Sequence, residues 1–229
     1  MSLEPLKLPN TYATAHRFPK IVTKNLTPGV TFFDKETPWF ENDVEYRELD
    51  PTHSKLGAAI ANGCQQFGIK EGCTVLYLGA SHGYTPSFVS DMVGKDGTIY
   101  CLDVAPRVVR DLVFVCDVRE NMIPMLADAR NPATFAARVT TVDVIFQDIA
   151  QRDQVDIFLK NVRAFLKPGG FAMLALKARS VDVTRRPNDI FNEVKKLLDN
   201  TQGVSLIDYR SLDPHEKDHA FFVIKKKFL

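Results

Sequence analysis

Short apolar runs and helical patterns alternate along the chain from residue 74 onward. Apolar runs separated by helical stretches indicate a sheet that is buried on both faces. Only residues 210–219, which lack a helical pattern, separate the last two runs, so these two should pair as an antiparallel hairpin. The runs that predict strands lie at residues 75–78, 98–103, 122–126, 142–147, 171–176, 204–209 and 220–225.

The pattern predicts an α/β fold with a mainly parallel seven-stranded sheet that ends in an antiparallel hairpin. This arrangement is typical of Rossmann-like S-adenosylmethionine-dependent methyltransferases, whereas dinucleotide dehydrogenases normally keep the sixth strand parallel. Residues 1–50 differ, because short alternating runs and turn signals there predict a small N-terminal β domain. Residues 51–229 form the predicted methyltransferase domain, beginning with a helix over residues 51–67 that Asp50 caps.

Composition narrows the classes of protein that this chain can be. Its 229 residues are 45% hydrophobic, enough for one α/β domain with a small appendage. No apolar run approaches the roughly 18 to 20 residues of a membrane span, and the N-terminus lacks the apolar core of a signal peptide. We therefore expect a soluble cytoplasmic protein with no membrane contact. Four cysteines without CxxC spacing should be buried apolar side chains, with no metal site.

The net charge of +1 is small for a protein that would hold a nucleic acid by itself. A nucleic-acid function would therefore require partners. Positive charge is nevertheless concentrated after the fifth strand, where Arg179, Arg185 and Arg186 are candidate RNA contacts.

A glycine turn of sequence LGASHG follows the first strand of the predicted sheet, at residues 78–83. Gly79 lets the backbone approach a ligand, although such a turn can also serve only strand-to-helix packing. Asp103 ends the second strand about 20 residues later, where a carboxylate can accept hydrogen bonds from ribose hydroxyls. Ser81 interrupts the full GxGxxG pattern, so S-adenosylmethionine, which has no phosphate, fits better than a nicotinamide cofactor.

Acidic and basic residues end the third, fourth and fifth strands. Asp128 could bind the amino group of adenine, or it could cap the helical segment near Pro132. Asp148 and Lys177 would lie on neighbouring strands, and Lys55 could add a second positive charge. A lysine held there can remove the proton of a hydroxyl group, but an ordinary ion pair at the sheet edge would give the same pattern.

His219 begins the last strand, at the same edge of the sheet. It follows a turn that contains a second histidine, two acids and a lysine, which is unusual between two apolar strands. We therefore include His219 as a fourth member of the predicted site.

Nine segments together resemble the fibrillarin family in its short archaeal form. Members of this family are RNA-guided ribose 2′-O-methyltransferases of box C/D ribonucleoprotein particles. The resemblance extends over almost the whole chain and is more specific than the glycine turn. The segments are KNLTPG (24–29), EYRE (45–48), SKL (54–56), VLYLGAS (75–81), VSD (89–91), VDVIF (142–146), DIAQ (148–151), KARS (177–180) and EKDH (216–219).

The resemblance implies roles for particular residues. The catalytic tetrad of the family corresponds to Lys55, Asp148, Lys177 and His219. Its contacts to S-adenosylmethionine, with Ser81 of the turn added, correspond to Gly79, Ala80, Ser81, Thr85, Asp103, Val104, Asp128, Ala129, Asp148 and Gln151. The chain departs from the family pattern at His82, Tyr84 and Phe88, in or just after the cofactor turn, and at Asp103, where the family commonly has Glu.

The resemblance also implies partners. A box C/D guide RNA would pair with ribosomal or transfer RNA, and a coiled-coil Nop-domain scaffold and a kink-turn-binding ribosomal-type protein would complete the particle. Two other functions stay open. One is a metal-dependent small-molecule O-methyltransferase that uses Asp148 and Asp153, against which Lys177 argues because it would repel a metal. The other is a non-catalytic scaffold.

Overall fold

The computed structural model describes residues 2–34, 36 and 38–228. An antiparallel sheet of five strands forms the N-terminal part, in the order β1-β2-β3-β5-β4. This confirms the predicted N-terminal β structure, whereas a domain boundary at residue 50 stays a prediction. The strands are β1 (Leu3–Pro5), β2 (Thr11–Thr14), β3 (Ile21–Lys24), β4 (Pro38–Glu41) and β5 (Val44–Glu48).

The second sheet contains the seven predicted strands, in the order β11-β12-β10-β9-β6-β7-β8. Strands β6 to β10 pair in parallel, and β12 pairs antiparallel with both β10 and β11. The prediction of a mainly parallel sheet with an antiparallel hairpin is confirmed. These strands are β6 (Thr74–Leu78), β7 (Thr98–Asp103), β8 (Met122–Leu126), β9 (Val142–Gln147), β10 (Leu166–Lys177), β11 (Val204–Ser211) and β12 (His219–Lys226).

Six α-helices flank this sheet in the described part of the chain, and apolar side chains fill both of its faces. One face packs against α1, α2, α3 and the N-terminal sheet, and the other packs against α4 and α6. All four cysteines are buried with free thiols. The helices are α1 (Lys55–Ala61), α2 (Tyr84–Val93), α3 (Pro106–Val118), α4 (Gln154–Phe165), α5 (Ala178–Val181) and α6 (Pro187–Asn200).

The predicted helix over residues 51–67 is wrong in its extent and in its cap. Helix α1 begins at Lys55, and the Ser54 hydroxyl caps it by accepting a hydrogen bond from the Gly57 backbone N–H. The Asp50 carboxylate instead accepts hydrogen bonds from the backbone N–H and the hydroxyl of Thr52, which forms a turn before the helix. The helix ends before Gly63, whose φ of +81° is incompatible with a helix.

A buried cluster of ionic groups joins the N-terminal sheet to the α/β part of the chain. The Asp91 carboxylate on α2 accepts hydrogen bonds from Arg47 of β5 at 2.9 Å and from Arg119 at 2.8 Å. It also accepts hydrogen bonds from the Thr23 hydroxyl and the Leu26 backbone N–H. The four hydrogen bonds use the acceptor capacity of Asp91, and three of the four donors, Arg47, Thr23 and Leu26, lie in the N-terminal part.

No helix in the described ranges combines the length and the apolar character that crossing a bilayer requires.

Candidate active site

The turn after β6 brings the backbone close to the end of β9. Gly79 has a φ of +84°, and a Cβ built at this position would collide with the main-chain oxygen of Asp148. Only glycine therefore allows the two segments to approach this closely. Ser81 also has a positive φ, of 50°, and its N–H donates a hydrogen bond of 2.9 Å to Asp103 Oδ2.

Asp103 ends β7 beside this turn. Its Oδ1 accepts a hydrogen bond of 3.0 Å from the Ala105 N–H, while Oδ2 accepts the one from Ser81. Each carboxylate oxygen has a further lone pair, so the group can still accept hydrogen bonds from a diol. The two backbone donors hold the carboxylate at the edge of the sheet in a fixed orientation.

A cleft of about 230 Å³ lies at the carboxyl ends of β6, β7, β8 and β9. It lies where the strand order reverses, which is the usual ligand position in open α/β sheets. Its lining includes eight of the predicted cofactor contacts: Gly79, Ser81, Asp103, Val104, Asp128, Ala129, Asp148 and Gln151. Apolar side chains of Leu102, Ile149 and Ile157 complete the walls.

Two predicted cofactor contacts do not line the cleft. Ala80 is only 1% exposed and belongs to the hydrophobic core. Thr85 is buried at the start of α2, and its hydroxyl donates a hydrogen bond of 3.1 Å to the Ser54 hydroxyl. Both side chains therefore pack beneath the turn, on the side away from the cleft.

Arg130 lines the cleft and was not predicted. Its guanidinium pairs with Asp128, with Nε at 2.9 Å and Nη2 at 2.8 Å from Asp128 Oδ2. Hydrogen bonding from Arg130 lowers the pKa of the Asp128 carboxyl. The alternative role of Asp128 as a helix cap is not observed, because Asn131 takes the cap position of the 3₁₀ turn Pro132–Thr134. The spacing of an acid and an arginine two residues apart could have suggested the pair.

Lys55 and Asp148 form an ion pair between α1 and the residue that follows β9. Lys55 Nζ lies 3.0 Å from Asp148 Oδ2, and the two side chains are 20% and 24% exposed. The Asp148 N–H donates a hydrogen bond to the Leu78 carbonyl, so the backbone at Asp148 stays bound to the end of β6. Asp148 thus lies between the cleft and the lysine.

Lys177 and His219 are directly paired across β10 and β12. Directly opposite residues of an antiparallel pair project to the same face, so the two side chains are neighbours. The Lys177 side chain is exposed, and within the described residues no side chain forms a hydrogen bond or an ion pair with its ammonium group. His219 is only 8% exposed, and its Nδ1 lies 2.7 Å from the Lys217 carbonyl oxygen.

The three arginines predicted as RNA contacts have different surroundings. Arg179 Nε donates a hydrogen bond of 2.9 Å to Asp218, next to His219. Arg185 pairs with Glu193 at 2.7 Å, and the exposed Arg186 precedes α6. All three follow β10 in the chain, within nine residues of Lys177.

The side chains at the three departures in or just after the turn lie outside the cleft, whereas Asp103 lines it. His82 Nε2 is 3.7 Å from Asp111 Oδ2. Tyr84 packs edge-on against Phe33 and Phe88, and burial raises its pKa to about 12. None of these three residues lines the cleft: His82 is exposed, whereas Tyr84 and Phe88 pack against each other at the start of α2.

Comparisons with known proteins agree on one family. A family model described as fibrillarin matches residues 4–228. A relative from Thermococcus gammatolerans, named fibrillarin-like rRNA/tRNA 2′-O-methyltransferase, is 45% identical over 223 residues, which cover 92% of this chain and 97% of the relative.

Solved structures give the same result. Fibrillarin from Aeropyrum pernix, solved with natively bound S-adenosyl-L-methionine, is 38% identical with a TM-score of 0.88, and the match covers 98% of both chains. A fibrillarin chain from a fibrillarin/Nop5p complex is 32% identical with a TM-score of 0.84, and the match covers 98% of this chain and 100% of that one.

Proposed function

This chain belongs to the fibrillarin family, and from that premise we propose that it transfers a methyl group from S-adenosylmethionine to ribose 2′-hydroxyls of ribosomal and transfer RNA. The observation that carries the proposal is the position of two lysines, each beside an acid or a histidine, at the end of the sheet where the cleft lies. Lys55 pairs with Asp148, which lines the cleft, and Lys177 is the cross-strand neighbour of His219.

The groups in the cleft fit S-adenosylmethionine. Asp103 has lone pairs for the two ribose hydroxyls, and apolar walls from Leu102 and Ile157 suit an adenine ring. Asp128 is engaged by Arg130, so a hydrogen bond to the adenine amino group would use the lone pairs that this ion pair leaves. When bound, S-adenosylmethionine supplies a methyl group activated by the positive sulfur.

The proposed chemistry needs a base, a stabilising charge and a fixed geometry. Lys177, as the neutral amine, would accept the proton of the 2′-hydroxyl as the O–CH₃ bond forms and the S–CH₃ bond breaks, with S-adenosylhomocysteine, a neutral thioether, as the leaving group. Lys55, held by Asp148, provides positive charge for the oxygen as it becomes anionic. His219 Nε2 can accept a hydrogen bond from the Lys177 ammonium, because Nδ1–H is bound to the Lys217 carbonyl.

RNA targeting is proposed to depend on partners. The net charge of +1 gives the chain little affinity for RNA by itself. We propose that a box C/D guide RNA selects the nucleotide, and that a coiled-coil Nop-domain scaffold and a kink-turn-binding ribosomal-type protein hold the complex. The fibrillarin/Nop5p structure supports the scaffold. Arg179, Arg185 and Arg186 are proposed RNA contacts, and the cytoplasm of an archaeal cell is the proposed location.

The test is transfer of labelled methyl groups from S-adenosylmethionine to RNA, with and without guide RNA and the two partner proteins. We expect one 2′-hydroxyl to be methylated only in the complete particle, with equal rates in the presence of a chelator. Tight cofactor binding without transfer to RNA would overturn the proposal. Loss of activity with chelator would favour the metal-dependent alternative, which the pairing of Asp148 with Lys55 argues against.

A further inference from the structure

The side-chain amide of Gln154 is completely buried at the first residue of α4, and all of its hydrogen-bonding groups are used. Nε2 donates to the Lys177 carbonyl at 3.1 Å and to the Gln151 carbonyl at 2.9 Å. Oε1 accepts the Lys177 N–H at 3.1 Å. The amide thus binds both backbone groups of Lys177 and one carbonyl of the loop that lines the cleft.

Gln154 supplies the hydrogen bonds that β9 no longer offers to the end of β10. The parallel pairing of β10 with β9 runs only as far as Leu174 opposite Gln147. After that, the chain turns toward β6, where the Asp148 N–H binds the Leu78 carbonyl. Lys177 therefore has no neighbouring strand on this side, and the Gln154 amide, with a donor and an acceptor in one plane, takes the place of the missing peptide group.

A second glutamine holds Gln154 in place. The side-chain Nε2 of Gln147, at the end of β9, donates a hydrogen bond of 2.6 Å to the Gln154 backbone carbonyl. Both glutamines are 0% exposed. Because buried amides lose water on folding, such bonds are costly to break and fix a single geometry.

We propose that Gln154 is a positioning residue that sets the Lys177 backbone relative to the cofactor loop at Gln151. This inference rests on the proposed function, because it takes Lys177 as the base. Methyl transfer requires the donor, the hydroxyl and the base to be aligned, and a small displacement of one of them lowers the rate strongly. Gln154 joins the segment that carries the base to the loop that carries the methyl donor.

Gln154→Leu tests the proposal in the complete particle. We expect kcat to fall about 10- to 100-fold while KM for RNA and the affinity for S-adenosylmethionine change less than about threefold. Backbone hydrogen exchange should accelerate at Lys177, because its N–H loses its acceptor. Gln154→Glu, which keeps the shape but loses both donors, serves if the leucine variant does not fold and should also lower kcat.

A double variant separates positioning from general destabilisation. If Gln154 acts through Lys177, adding Gln154→Leu to Lys177→Ala should cause no further loss of rate. The matched control is Asn121→Ala, which removes another buried amide that binds two backbone carbonyls, those of Ser90 and Gly94, and that lies at the opposite edge of the sheet. The control should lower the melting temperature and leave kcat unchanged.

The outcomes distinguish this inference from the proposed function. Full activity of Lys177→Ala would remove Lys177 as the base and with it the positioning role of Gln154, while methyl transfer to RNA itself would stand. Absence of transfer by the wild-type particle would overturn the proposed function. An inactive Lys177→Ala together with wild-type kcat in both Gln154 variants would overturn the positioning role alone. An equal fall of kcat in the Asn121 control would show that loss of stability explains the effect, which also overturns it.

Discussion

Lys177 and His219 face each other across β10 and β12, and the Nδ1 of the histidine lies 2.7 Å from the Lys217 carbonyl oxygen and 3.7 Å from Glu216 Oε2. The Lys217 carbonyl can only accept, so the Nδ1 of His219, 2.7 Å away, carries the proton. In the neutral ring Nε2 is then an acceptor. Burial of the ring, which is 8% exposed, keeps this acceptor in place beside the lysine.

This relationship predicts that His219→Ala slows methyl transfer without weakening cofactor binding. We expect kcat to fall about 10- to 100-fold, because an oriented acceptor beside the base is lost. Single-turnover kinetics in the complete particle and calorimetry with S-adenosylmethionine are the measurements. His215→Ala, in the same loop, is the control. An unchanged rate in the His219 variant would remove His219 from the site.

The ion pair between Lys55 and Asp148 leads to a second prediction. Lys55→Met should reduce kcat about 100- to 1,000-fold, since the developing negative charge on the hydroxyl oxygen loses its cation. Affinity for S-adenosylmethionine should change little, because Lys55 does not line the cleft. Lys95→Met, a change of the same type at an exposed turn, is the control. A wild-type rate for Lys55→Met would contradict the role of Lys55.

Asp103 is expected to determine cofactor affinity. Asp103→Ala should raise the Kd for S-adenosylmethionine about 10- to 100-fold, because hydrogen bonds to a charged acceptor are lost together with the bond that holds the Ser81 N–H. Calorimetry of the isolated chain measures this directly. Asp117→Ala, on the exposed side of α3, should bind normally. Equal affinity in the two variants would show that Asp103 does not bind the ribose.

Asp91 is expected to dominate the stability of the contact between the N-terminal sheet and α2. Asp91→Asn removes the carboxylate paired with the buried Arg119 and leaves Arg47 with Glu36 alone, so the free energy of unfolding should fall by about 3–5 kcal/mol. Urea denaturation measures the change, with Asp96→Asn at an exposed turn as the control. A loss below about 1 kcal/mol would mean that the arginines find other partners.

The buried thiol of Cys64 should be almost unreactive near neutral pH. Burial, with a smaller effect from the charge of Asp208, raises its pKa to about 12. The reactive thiolate is then only about 10⁻⁴ of the thiol at pH 8, and its fraction increases as the pH rises toward the pKa. Alkylation followed by mass spectrometry should label Cys64 far faster in denaturant than in the folded protein. Rapid labelling of Cys64 in the folded protein at pH 8 would show that the thiol is not buried with a raised pKa.

The sequence alone predicted where the seven strands lie along the chain, because an apolar run buried on both faces is a local signal. It also predicted that Asp103, Asp148 and Lys177 lie at the same end of the sheet, since each stands at the carboxyl end of a strand. The start of α1 was predicted wrongly, because both Asp50 and Ser54 are good helix caps and the choice between them depends on local contacts.

Which distant side chains meet at this end of the sheet follows from the tertiary structure alone. Gln154 binds the backbone of Lys177 from 23 positions away, and Lys55 meets Asp148 across 93 positions. Arg179, predicted as an RNA contact from its charge, has Asp218 as its partner 39 positions later. Periodicity reports only whether a residue faces the core or the solvent. A hydrogen bond between distant residues depends on how strands and helices pack, which no local pattern contains.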